Sequence, residues 1–241
     1  MLQLKDVAKS FGGLQVLKMI NAEITSGEIV GLIGPNGAGK STLFNLITGF
    51  YPLSSGSIQF AQRDLKGMPP HKIAHLGIAR TFQLVKIFPS LTAIENVRAG
   101  AIFGRKKGGN AKVAAPEACL ELVGLEHRMN MLATHLTFCD RRRVEVARAV
   151  AAGPRLLLLD EPLAGLNDTE TREMITVIRK IREATGTAIL WVEHKIEAIF
   201  SLCERLIVID FGEKIAEGTP EEITRNEAVI EAYLGKGKRE C

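Results

Sequence analysis

Aromatic residues make up only 5% of this 241-residue chain, with one Trp and two Tyr, and no long hydrophobic run is present. The richest apolar stretches, Leu156–Leu159 and Leu206–Ile209, are strand-sized, far short of the roughly 18 residues needed to cross a bilayer. The N-terminus, Met1–Asp6, alternates polar and apolar residues and lacks the core of a signal peptide. Cysteines are few and scattered. Cys119, Cys139, Cys203 and Cys241 form no C-x-x-C pair, and no His stands at metal spacing, which argues against a disulfide framework or a zinc site. No charge of one sign dominates, since 31 Lys and Arg against 27 Asp and Glu leave +4. The short basic runs Arg105–Lys107, Arg141–Arg143 and Lys236–Arg239 are expected on solvated faces, and no nucleic-acid partner is expected. These absences describe a soluble, cytosolic chain whose membrane role, if it has one, comes from a partner.

What is present has an α/β rhythm. Hydrophobic residues are 46% and charged residues 24%, ordinary for a globular chain of one large domain or a core with a subdomain. The first 30 residues read as strands, including Leu2–Val7 and the apolar run Ile29–Ile33. Lys40–Ile47 reads as a helix, closed by Gly49 with Pro52 beyond. After Gln83 strand signals fade, and helical stretches such as Pro116–Val123 and Arg143–Ala151 take over, with an exposed loop expected at Gly104–Asn110. From Leu156 the alternation returns: strand Leu156–Asp160, helix Glu170–Ala184, strand Ala188–Glu193, helix Ile196–Cys203, strand Arg205–Asp210. Short buried strands alternating with helices imply a parallel sheet covered on both faces. The expected organisation is an α/β core over residues 1–83 and 152–241, a helical subdomain inserted at 84–151, and a frayed tail at 235–241.

Two motifs carry chemistry. Gly34-Pro35-Asn36-Gly37-Ala38-Gly39-Lys40-Ser41 fits G-x-x-x-x-G-K-[ST] and sits between a buried strand and a helix. Its glycines let backbone N–H groups curl around phosphate oxygens, and the helix N-terminus adds partial positive charge. Lys40 reaches the β- and γ-phosphates, and the Ser41 hydroxyl ligates Mg²⁺. The second motif is Leu156–Asp160 followed by Glu161 and Pro162, an apolar strand ending in paired acids. Open α/β sheets bind ligands at the carboxyl ends of their strands. Asp160 is expected to hold Mg²⁺ through water, and Glu161 to orient or deprotonate an attacking water. A capping Asp and a solvated Glu would explain this pair alone, but not beside the phosphate loop.

Just before that strand lies Leu136-Thr137-Phe138-Cys139-Asp140, followed by Arg141–Ala149. This resembles the signature motif and helix of the ATP-binding cassette (ABC) ATPases, whose usual pattern is Leu-Ser-Gly-Gly-Gln. The resemblance covers essentially the whole chain. It implies a P-loop NTPase core of mostly parallel sheet flanked by helices, a small antiparallel β region and an inserted helical subdomain. It also implies that Phe11 stacks on adenine with Val16 packing nearby, that Gln83 ligates Mg²⁺ and senses the γ-phosphate, and that His194 contacts the γ-phosphate and positions Glu161. Leu163–Asn167 stands where that family has a dimer-contact loop. Taken alone, Phe11 reads equally as core, and Gln83 and His194 as surface residues.

Several segments resemble the ATPases of branched-chain amino acid importers: Phe11–Leu14, Gly34–Asn45 (Ser41 and Thr42 included), Gly77–Gln83, Ala164–Asn167 and Ile215–Pro220. Urea and short-amide importers and a lipopolysaccharide exporter use related ATPases. The resemblance implies MgATP hydrolysis, a second ATPase subunit that is a different chain, two membrane permeases docking beside Leu84–Leu91, and an indirect link to an external solute-binding protein. The chain would then sit on the inner face of the membrane through the permeases. One departure is Cys139, in the place of a signature glycine. If that position needs φ > 0, the added Cβ costs about 1 kcal/mol or more, and a weakly active regulatory ATPase becomes an alternative. Thr137 and Asp140 also fit a helix capping box.

Overall fold

In a computed structural model of the chain, the described residues are 1–104 and 115–234. All but Gly104 of the expected loop Gly104–Asn110, the basic runs Arg105–Lys107 and Lys236–Arg239, and the tail at 235–241 lie outside them. The chain packs as two compact units, Met1–Pro70 with Leu190–Cys241, and His71–Ile189.

In the first unit, β1 (Leu2–Phe11), β2 (Leu14–Ile24), β4 (Ser55–Phe60) and β5 (Arg63–Asp64) form an antiparallel sheet in the order β2-β1-β4-β5. Leu2 and Leu4 face inward while Gln3 and Lys5 face solvent, which fixes the register of Leu2 with Ile24 and with Phe60. The register slips between Leu4 and Val7, where Asp6 takes a left-handed φ of 47°. A bulge of this kind re-aims the strand beyond it.

Strand β3 (Ile29–Ile33) is buried along its whole length and leads through the glycine loop into α1 (Lys40–Ile47). It pairs in parallel with β9 (Arg205–Asp210), Val30 opposite Arg205, and β10 (Glu213–Gly218) adds an antiparallel edge to β9. Two further helices, α8 (Pro220–Thr224) and α9 (Glu227–Leu234), close this unit.

In the second unit, β6 (Ile78–Arg80) pairs in parallel with β7 (Leu156–Asp160), Ile78 opposite Leu156. The helices are α2 (Pro70–Leu76), which begins at the boundary, α3 (Ala93–Phe103), α4 (Pro116–Leu122), α5 (Phe138–Ala151) and α6 (Asp168–Thr185). Three of them start with reciprocal capping boxes: Thr92 with Glu95, Thr137 with Asp140, and Asn167 with Glu170. Strand β8 (Ala188–Val192) carries the chain across the boundary, and α7 (Ile196–Leu202) follows it.

Parallel pairs flanked by helices, with a separate antiparallel sheet, form the expected P-loop NTPase architecture. Among the described residues no helix is long and apolar enough to cross a membrane. One expectation is corrected. The run Arg141–Arg143 does not lie on a solvated face, because Arg142 is 3% exposed and the Arg143 side chain 13%. Helix α5 starts five residues before the expected Arg143, at Phe138, and its charged residues face the protein.

Candidate nucleotide site

The phosphate loop of the first unit is built by close backbone approach. Gly34 has φ of 152°, and a Cβ there would stand 1.9 Å from the Ile209 carbonyl oxygen. Gly39 ends the loop at φ of 106°, where a Cβ would meet Leu17 Cδ2 at 2.6 Å. Only glycine permits both positions. No side chain caps α1 and no acid stands in its first turn, so its N-terminal dipole is not countered locally. Lys40, 6% exposed, donates to the carbonyls of Gly34 (2.6 Å) and Pro35 (2.9 Å). Its ammonium is thereby held over the loop. Pro35 and Thr42 are half-buried, Ala38 is buried, and Asn36, Gly37 and Ser41 are exposed.

Phe11 is 42% exposed at the end of β1. Its ring meets Tyr51 edge-on at 5.2 Å, and the Lys9 ammonium lies 4.7 Å from its centroid while donating to Pro52 O at 2.9 Å. Val16 is half-buried on β2. The structure therefore presents Phe11 as an accessible ring on a rigid base. Tyr51 and Lys9 belong to that base and were not singled out from the sequence. Tyr51 stands four residues past the end of α1, the helix that the phosphate loop opens. His194 is exposed after β8, and its N–H donates to the buried Glu193 at 2.8 Å.

In the second unit, Asp160 and Glu161 sit at the carboxyl end of β7. Asp160 is 3% exposed, and its Oδ2 accepts from Arg80 Nη2 at 2.7 Å. Its Oδ1 is buried without a hydrogen-bond partner. A buried carboxylate oxygen left without a donor is costly, and a cation or a cation-bound water would satisfy it. Arg80 was not singled out from the sequence; it stands three residues before Gln83. Glu161 takes a left-handed φ of 50°, a strained conformation for a non-glycine residue of the kind that collects at functional sites. Its carboxylate accepts from the Gln83 amide at 3.1 Å.

The signature residues begin α5. Leu136 is buried, and Thr137 Oγ1 accepts from the Asp140 N–H at 3.1 Å. Asp140 accepts from the Thr137 hydroxyl at 2.7 Å and pairs with Arg128. Phe138 is 49% exposed and lies against Gly165, where a Cβ would stand 3.0 Å from its ring. Cys139 is the second residue of the helix and does not adopt positive φ. The strain expected of a cysteine replacing a glycine is absent. Its thiol is 5% exposed, and burial, against the nearby Arg143 charge, pushes its pKa up.

The ABC transporter family model matches residues 17–164. The chain belongs to this family. A second model, the branched-chain amino acid ATP-binding cassette transporter, matches residues 213–239 of this cassette. The chain is 41% identical over 240 residues, 94% of each chain, to the high-affinity branched-chain amino acid transport ATP-binding protein LivG of Salmonella typhimurium. It is 34% identical over 235 residues to the lipopolysaccharide export system ATP-binding protein LptB of Escherichia coli K12, covering 98% of this chain and 97% of that protein. A solved ATP-binding cassette in its ADP conformation superposes with a TM-score of 0.86 and 27% identity, covering 98% of this chain and 99% of the other.

Proposed function

We propose that this cassette binds and hydrolyses ATP to drive uptake of branched-chain amino acids through partner membrane subunits. The observation that carries the reading is Glu161, directly after Asp160, held on left-handed backbone with its carboxylate on the Gln83 amide at 3.1 Å. That is a base kept at a fixed orientation at the end of a buried strand.

Lys40 neutralises charge on the β- and γ-phosphates, and Gly34–Gly39 supply backbone donors around them. Glu161 takes a proton from the attacking water. Gln83 senses the γ-phosphate and, through its amide, also holds Glu161; His194 contacts the γ-phosphate and positions Glu161. Ser41, Gln83 and Asp160 would hold Mg²⁺, and the unpartnered Asp160 Oδ1 fits that assignment. Bound Mg²⁺ would offset negative charge on the phosphates. Phe11 stacks on the base, with Val16 beside it. Thr42 contributes to the nucleotide site beside Ser41.

The signature residues Leu136–Asp140 serve the ATP of a second, different cassette subunit, and Leu163–Asn167 meets that subunit. The permeases dock on the Gln83 segment, where Leu84 is 77% and Phe88 49% exposed. These permeases hold the cassette at the inner membrane face, and a solute-binding protein acts on their outer side. Residues 84–151 form the inserted helical subdomain. The match of the C-terminal segment to the branched-chain cassette model favours the importer over an exporter.

Deletion of the gene in its native cells is expected to lower initial uptake of labelled leucine, isoleucine or valine, with rescue by the wild-type chain and not by Glu161→Gln. Unchanged uptake of all three, with ATPase activity intact, would assign the cassette to another solute.

A further inference from the structure

Residues 81–91 carry Gln83 but form no helix or strand. Their backbone groups therefore need partners from elsewhere. Three side chains of α5 and one of α3 supply them, all within the second unit. Arg142 donates to two consecutive carbonyls, Phe82 O at 3.0 Å and Gln83 O at 2.7 Å. Glu145 Oε1 accepts from Phe82 N at 3.3 Å and Lys86 N at 3.2 Å. Arg148 donates to Lys86 O. Beyond them Asn96 accepts from Phe88 N at 2.7 Å and donates to Phe88 O at 3.0 Å.

Three of these four side chains are buried, and Arg148 is half-buried. Arg142 is 3% exposed, Glu145 1% and Asn96 0%. Burial raises the Glu145 pKa, opposed by the N–H bonds of Lys86 and Phe82 and by the Arg148 and Arg142 charges. Burying a carboxylate and a guanidinium is costly when an apolar pair would fill the same space. Here the charged pair spends its hydrogen bonds on the backbone at Gln83 and to either side of it. The spacing i, i+3, i+6 puts all three groups on one face of α5, the helix that begins with the signature residues.

We propose that Arg142 and Glu145 are positioning residues for Gln83. They fix its backbone so that its amide stays on Glu161. The proposal rests on the reading of Glu161 as the base.

The test is a double-mutant cycle on the chain assembled with its partner cassette and permeases, with kcat and KM for MgATP measured for each assembly and the melting temperature for each purified chain. Glu145→Ala is expected to lower kcat about tenfold with KM changed less than about twofold, because Gln83 is misplaced while the phosphate loop is untouched. Glu145→Gln keeps an acceptor oxygen for both N–H groups and is expected to recover at least about half of the activity. In a Gln83→Ala background, Glu145→Ala is expected to cost less than about twofold more, since the residues act through one another. Arg142→Lys, which keeps the charge but not the paired donation, is expected to fall about threefold to tenfold in kcat and serves if Glu145→Ala does not fold.

Independent, multiplying losses at Gln83 and Glu145 would overturn the proposal. So would a Glu145→Gln protein as slow as Glu145→Ala, or a folded Arg142→Lys protein with full kcat. Glu161→Gln is measured alongside: normal turnover there would remove the functional reading itself, whereas slow turnover with a multiplying cycle would remove only the positioning role.

Discussion

At Cys139 a signature glycine is replaced without a backbone penalty, because the position is helical. Cys139→Gly is therefore expected to destabilise the chain by about 1 kcal/mol, mostly from loss of the buried side chain with a few tenths from glycine's lower helix propensity, and to leave turnover unchanged. Thermal denaturation and steady-state hydrolysis decide this, and a faster variant would restore the idea of an impaired signature. The described thiols share this burial. Desolvation pushes Cys119 up to about 12 and raises Cys203 and Cys139. Since the thiolate is the reactive form, peptide mapping after maleimide treatment is expected to show slow labelling of all three in native protein and fast labelling in denaturant. Rapid native labelling of Cys139 would contradict its buried placement. At Phe11, loss of base stacking of about 1 kcal/mol predicts a roughly fivefold higher KM for MgATP in Phe11→Ala. An unchanged KM would return the ring to a packing role with Tyr51.

Legibility from the sequence differed among elements for physical reasons. β3, α1, β7 and β9 match their expected bounds residue for residue, because buried strands and a glycine-opened helix leave sharp composition edges. β4, β5 and β10 are not legible in the sequence. Their exposed or half-buried residues, such as Arg63, Asp64, Glu213 and Lys214, obscure any alternation. The start of α5 was placed too late because Asp140–Arg143 is a charged run, although the Thr137 and Asp140 capping signal was present. Thr137→Ala removes that cap and is expected to cost about 1 kcal/mol of stability, measurable by urea denaturation; no change would mean that tertiary packing alone fixes the helix start. The phosphate-loop motif is legible by its spacing, whereas the 3.1 Å contact of the Gln83 amide with Glu161 is not. The backbone contacts of Arg142 and Glu145 were not legible, since charged residues on a helix read as solvated until their depth is known.

For the whole molecule, the ABC family, the nearly full-length likeness to LivG and the nucleotide machinery converge on a cassette whose work is ATP hydrolysis. The most direct measurement is the rate of phosphate release from labelled MgATP in a single turnover, compared between the wild-type chain and Glu161→Gln, each assembled with a partner cassette unable to hydrolyse ATP, with ATP binding measured on both. The account predicts that both proteins bind ATP alike, that the wild type releases phosphate, and that Glu161→Gln is slower by about a hundredfold or more. Equal release from the two proteins would contradict it.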